Sequence, residues 1–83
     1  MKTRKREYGN ANMVGKNIER LRKKRGIKQK DFIAQILVMD CDMNPTSYSK
    51  LEGQVRMAND KEMLVISKLL NVSMEQLFVD DDE

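Results

Sequence analysis

The apolar residues of this chain recur three and four positions apart, in short groups cut off by Gly, Pro and Asn. Val14, Ile18 and Leu21 stand at i, i+4 and i+7, the stripe of a helix with one buried face. "KNIERLRKKR" favours helix and ends at Gly26, a residue suited to the position just past a helix. Phe32, Ile33, Ile36 and Leu37 set a second helical stripe that begins near Gln29, with Lys28 a poor cap. "ILVM" is apolar enough for a short strand but continues the helical phase, and "DCDM" reads as a loop. Asn44 and Pro45 open a third helix that Gly53 stops, since Asn accepts from free N–H groups and Pro fits the first turn. "QVRMAN" is a connector, and Asn59 to Glu62 offers a capping box. A fourth helix then carries Met63, Ile66, Leu69 and Leu70, and Asn71 can end it. Ser73-Met74-Glu75-Gln76 repeats the capping box and starts a short fifth helix bearing Leu77 and Phe78. Five short helices and no convincing strand predict an all-α, compact five-helix bundle.

At 83 residues the chain makes one domain with a modest core. Residues 1–12 are basic and aperiodic, and read as a flexible basic arm or as residues added to the natural chain. Residues 13–79 hold all the helical stripes, and 80–83, "DDDE", are an acidic tail. The single cysteine, Cys41, cannot close an internal disulfide, which suits a reducing cytosol. The basic N-terminus is followed by no apolar run, and no stretch nears the roughly 20 apolar residues that span a bilayer. A cytoplasmic protein with no membrane association is expected.

The net charge of +3 conceals a division. Residues 1–30 hold twelve Lys and Arg against two Glu, a net of +10. Residues 31–83 hold four against eleven acids, a net of −7. Such a split suggests polyanion binding on one face, against the alternative of a solvated basic helix with charged tails. The third helix has its own peculiarity. Thr46, Ser47, Tyr48 and Ser49 are indifferent helix formers, and only Tyr48 and Leu51 can give it an apolar edge.

Three segments in order give the chain a resemblance. "VGKNIERLRKKRGIKQKDFIAQIL", "TSYSKLEGQVR" and "LVISKLLNVSMEQLF" resemble the opening, recognition helix and ending of the helix-turn-helix domain shared by phage repressor and Cro proteins and many bacterial regulators. The likeness covers residues 14–78 and implies a lambda-repressor-like DNA-binding fold. There are three departures. Lys28 stands where the family has Thr or Ser, the loop "VMDCDMN" is longer, and Gly-Gln follows Glu52 where Asn-Gly is usual. The longer loop bears on the angle between the second and third helices, and not on the outward face of the third.

A recognition helix lies in the major groove, about 12 Å wide, where base edges display a distinct donor and acceptor pattern. Short polar outer residues let its backbone approach, which accounts for Thr46, Ser47 and Ser49; Lys50 is the one long cationic reader. The resemblance places Pro45, Thr46, Ser49 and Lys50 on bases, with Asn44 and Ser47 in the same DNA-binding set. It puts Gln29 at a helix start beside a phosphate or base, and Arg56 in a loop that grips the backbone. Arg22 and Glu52 match a structural ion pair whose Arg also touches phosphate, while Lys16, Lys28 and Lys30 are either phosphate contacts or solvated. The implied function is sequence-specific binding of a double-stranded DNA operator by a transcriptional regulator, expected to be a repressor. One such unit reads one half-site, so a homodimer is expected, with Val72, Leu77 and Phe78 at its interface. The alternatives are an antitoxin or restriction-system controller of the same fold, and a protein-interaction module that does not bind DNA. A basic "RLRKKR" beside a polar recognition helix argues against the last. No His, CxxC, Gly-rich phosphate loop or G-x-S-x-G is present. No enzyme activity, cofactor, metal or small-molecule substrate is therefore expected, with Cys41 an inert thiol and the seven Met core filler.

Overall fold

Helix α1 (Gly15–Lys24) starts without a side-chain cap on its own first residue. Asn12 supplies it from further back, its Oδ1 accepting from the Val14 and Gly15 N–H groups at 3.0 and 2.8 Å. Arg22, Lys23 and Lys24 in the last turn suit the negative end of the helix dipole. Gly26 then takes φ +70°, where a side chain would be strained. These residues belong to a computed structural model that describes residues 8–80.

Helix α2 (Gln29–Val38) has no side-chain cap at Lys28 and ends in Met39, with Asp40 at φ 67°. Asn44 opens α3 (Pro45–Glu52), its side chain accepting from Ser47 N–H at 2.7 Å. Helix α4 (Asp60–Leu70) begins with the reciprocal Asn59–Glu62 capping box and stops at Asn71, which is left-handed. The Ser73–Gln76 box forms as well, but what it starts is a 3-10 turn, Met74–Phe78, and not a fifth α-helix. Five residues leave little room for i→i+4 bonds; the turn closes through Gln76 N–H to Ser73 O and Val79 N–H to Gln76 O, both i→i+3. Among the described residues the chain is all-helical, with four α-helices and this turn. None of its helices is long and apolar enough to cross a membrane.

The helices close around Val14, Ile18, Phe32, Ile36, Tyr48, Leu51, Ile66, Leu70 and Leu77. Phe32 of α2 meets Tyr48 of α3 edge to face, ring centroids 5.9 Å apart. Each large side chain so buried contributes about 1.5–3 kcal/mol. Leu37 and Phe78, apolar in the sequence pattern, lie off this core at 48% and 45% exposure. Leu37 falls one position past the inward Ile36, and Phe78 one past the inward Leu77, so each is turned aside.

Residues 8–12 of the arm expected at 1–12 are bonded to the rest of the chain. Gly9 N–H donates to Gly53 O and Ala11 N–H to Gln54 O, each at 2.8 Å, and the Tyr8 hydroxyl donates to Glu19. Residues 8–12 are a strap over the end of α3, held by backbone bonds that need no apolar periodicity. A Cβ on Gly9 would stand 2.5 Å from Gln54 O, so the strap lies close because it has none there. Residues 1–7 and 81–83 lie outside the described residues. Asp80, read as the start of the acidic tail, pairs with Lys16 at 3.3 Å and accepts from Asn17 Nδ2 at 3.1 Å.

Candidate nucleic-acid interface

Tyr48, Leu51 and Glu52 face inward on α3, so its other side is turned out. At about 100° per residue, Thr46 and Lys50 fall on one line opposite Tyr48. Both are exposed, as are Asn44 and Pro45, while Ser47 and Ser49 flank them half-buried. The exposed strip is polar except for Pro45 and short-chained except for Lys50, at the helix's last turn.

What fixes this strip is the carboxylate of Glu52, which has no solvent exposure. Arg22 Nε donates to Oε2 at 2.7 Å and Nη2 to Oε1 at 3.3 Å, a two-pronged pair between α1 and α3. The Tyr48 hydroxyl adds a bond to Oε2 at 2.5 Å and Gln29 Nε2 one to Oε1 at 3.3 Å. Arg22 Nη1 also donates to Ile27 O at 2.7 Å. Burial works against the Arg22 charge, and Glu52 outweighs it, so the guanidinium is held above its usual range. Burial first, and then the Glu52 charge, push the Tyr48 phenol up, so it stays protonated and donating. Arg22 is sunk in this network, and reaching a phosphate would mean leaving a buried carboxylate behind.

Gln29 opens α2 half-buried beside α3, with its Oε1 accepting from the Ser49 hydroxyl at 3.5 Å. Lys28 and Lys30 on either side of it are exposed. Asn44, Pro45, Thr46, Ser47 and Lys50 line one shallow depression with Arg56. Arg56, expected to grip the DNA backbone, is committed elsewhere. Its Nη1 and Nη2 each donate to Glu62 at 3.0 Å, and its remaining N–H groups reach Ser47 O, Met57 O and the Met43 sulfur. All five of its donors have acceptors, so it serves as a strut joining α3, the connector and the start of α4.

The basic side chains of α1 do not form one surface beside α3. Arg20 and Lys24 are each two residues, about 200°, from Arg22, and so point away from the helix that Arg22 holds. Lys16 pairs with Asp80 and Lys23 with Glu19. Leu77, expected at a dimer interface, is completely buried in this chain's own core; Val72 is half-buried, and Phe78 alone of the three is well exposed. Cys41 is buried, and burial pushes its thiol up, which keeps it from the reactive thiolate form.

Three residues outside the sequence-derived set hold the site. Asn12 caps α1 and donates from Nδ2 to Leu51 O and Arg56 O at 3.0 and 2.8 Å. Gln54, left-handed at φ 61° and buried, donates to Asn12 O at 2.6 Å and accepts from Lys16 N–H at 3.2 Å. Gly15 lets α1 start against α3, since a Cβ there would stand 2.3 Å from Leu51 O. An Asn ahead of the first helical stripe is a cap signal; nothing local in the sequence marks Gln54 or Gly15. The chain matches no family model, no curated protein and no solved structure.

Proposed function

We propose that this chain is a helix-turn-helix transcriptional regulator of the phage repressor and Cro type, a cytoplasmic protein binding double-stranded DNA sequence-specifically and acting as a repressor. The observation that carries the reading is α3 itself. Its inner side is locked by Tyr48, Leu51 and Glu52, while Pro45, Thr46 and Lys50 stand free on a strip that a major groove can accept. Thr46 offers a hydroxyl and a methyl for a thymine edge, and Lys50 a cation for guanine O6 and N7. Ser49 and Asn44 lie beside them. Gln29, Lys28 and Lys30, at the positive end of α2, supply the phosphate contacts that set register. The action is occupancy of a promoter, without chemistry or cofactor. A homodimer reads the two halves of a two-fold operator, and the exposed Phe78 remains available for its interface.

Selection from a random duplex library tests this directly, returning an operator, its symmetry and its half-site spacing together. If about six phosphates are neutralised per dimer, log K falls against log salt with a slope of roughly −5. Failure to enrich any duplex, or a slope near zero, would remove the DNA reading in favour of a protein-interaction module. That second reading draws on the exposed Leu37 and Val38 at the end of α2, and on α1 cations that face away from α3.

A further inference from the structure

The cleft between α1 and the 3-10 turn gathers cations that the candidate DNA face does not use. It is lined by Arg20, Lys24 and Arg25 above Leu21, Val72 and Val79, with Gln76 at its side. The basic residues of α1 divide by partner. Lys16, Arg22 and Lys23 each meet a carboxylate. Arg20 and Lys24 meet none among the described residues, nor does Arg25 just beyond the helix. Arg20 Nη2 is instead held by Val79 O at 3.3 Å, and Arg25 Nη1 by Leu21 O at 3.4 Å. Both guanidinium groups are thus partly anchored at the rim, with donors to spare. Asp80 accepts from Asn17 and pairs with Lys16 at 3.3 Å, and Arg20 lies close enough to add to the pull that lowers its carboxyl without forming an ion pair with it. Among the described residues, then, no carboxylate forms an ion pair with Arg20, Lys24 or Arg25.

We propose that this cleft docks an acidic, apolar-containing peptide segment of a partner protein. Carboxylates of the segment meet Arg20, Lys24 and Arg25, and one of its large apolar side chains lies on Leu21, Val72 and Val79. Charge complementarity selects an anion, and guanidinium groups suit carboxylates in a two-pronged geometry. The apolar floor selects a peptide over nucleic acid, because a phosphate backbone has nothing to set on Leu21, Val72 and Val79. Position agrees, since Arg20 and Lys24 lie about 200° around α1 from Arg22, on the side away from α3. A partner can thus be held while α3 is free, whichever molecule α3 engages.

The test uses the full chain and a fluorescein-labelled hexapeptide, Asp-Asp-Leu-Phe-Asp-Glu, read by anisotropy. Saturable binding is expected, weakened about tenfold when the probe's acids become amides and severalfold when its Leu and Phe become Ser. The double variant Arg20→Glu with Lys24→Glu should lose about tenfold or more. Lys61→Glu with Lys68→Glu, the same charge change on exposed residues of α4, should leave binding unchanged. If thermal melts show the first double variant unfolded, Lys24→Glu with Arg25→Glu carries the same expectation. Four results would overturn the proposal. The first is a probe that does not saturate, and the second is equal weakening by both charge-reversed double variants, which means diffuse charge. The third is displacement of the probe by a short DNA duplex in proportion to its own binding at the cleft, which means a nucleic-acid site. The fourth is a dimer in sedimentation that Lys24→Glu dissolves, which means that a second copy fills the cleft.

Discussion

The two ends of α3 are held in different ways. At the C-terminal end, the Glu52 carboxylate takes donors from α1, α2 and Tyr48, Asn12 holds Leu51 O, and Gly15 allows α1 to touch the same carbonyl. At the N-terminal end stand the Asn44 cap and a loop in which Val38 is 86% exposed and Asp40 is left-handed. Cys41 and Met43 are the only side chains of residues 39–43 that go inward. Even Ser47 O is held by Arg56, which arrives from the connector beyond the helix. The outward strip is therefore aimed from its far end. A longer loop before α3 changes the approach to the helix and leaves its anchorage intact.

The largest break in that contrast is Glu52→Ala. It strands Arg22 in a buried setting, at about 3–5 kcal/mol, and a domain of this size should melt at least about 12 °C lower. Arg22→Ala should follow it. A Glu52→Ala chain that melts within about 4 °C of the parent would show that the far end is not the anchor. Gly15→Ala comes next. In an open helix alanine gains about 0.5–1 kcal/mol over glycine. Here its Cβ meets the Leu51 and Glu52 carbonyls at 2.3 and 2.6 Å, so overpacking at about 1–3 kcal/mol should reverse the sign. A stabilised Gly15→Ala chain would mean that α1 and α3 separate easily.

A sharper comparison sets side by side two left-handed residues, one beyond each end of α3, Gln54 at φ 61° and Asp40 at φ 67°. Glycine relieves backbone strain at both. Gln54→Gly also deletes the side chain bonded to Asn12 O and Lys16 N–H, so a net loss of about 1 kcal/mol is expected in denaturant titrations. Asp40→Gly removes an exposed side chain and should be neutral or stabilising by up to about 1 kcal/mol. Equal effects would erase the difference between the two ends. The smallest change is Val38→Glu, within about 0.5 kcal/mol in the same titration. Cys41 gives the loop a kinetic probe. Its thiol is buried and pushed up, so labelling should be slow, and it should proceed by local opening with a rate nearly independent of dilute denaturant. A steep denaturant dependence would place the loop in the globally cooperative unit.

The sequence made the caps legible because capping is local. Asn44, Asn59 with Glu62, Ser73 with Gln76, Gly26 and Asn71 each act within a few residues of where they stand. The 3-10 turn was not legible, since S-x-x-Q reads the same before either kind of helix. Leu77 and Phe78 are adjacent apolar residues, and only packing decides which goes in. The strap at 8–12 and the buried Gln54 depend on partners 38 to 45 residues away, beyond any periodicity. Arg56 and Glu62 pair across a connector, six residues apart, where helical spacing gives no signal. At the site, the exposed strip on α3 follows from where Tyr48 and Leu51 point; that the α1 cations face two ways follows only from seeing which of them Glu52 captures.

The most direct test of the proposed role of α3 is Lys50→Ala, measured on the selected duplex and on a scrambled one at two salt concentrations. Lys50 is exposed on the outward line of α3, on the side away from Tyr48 and Glu52, so the fold should be untouched. The account predicts a loss of about 1–3 kcal/mol on the selected duplex, almost none on the scrambled one, and an unchanged salt slope. Equal weakening on both, with the slope shallower by about one unit, would make Lys50 a phosphate contact and contradict base reading by that residue. No effect on either duplex would contradict the placement of α3 in the groove.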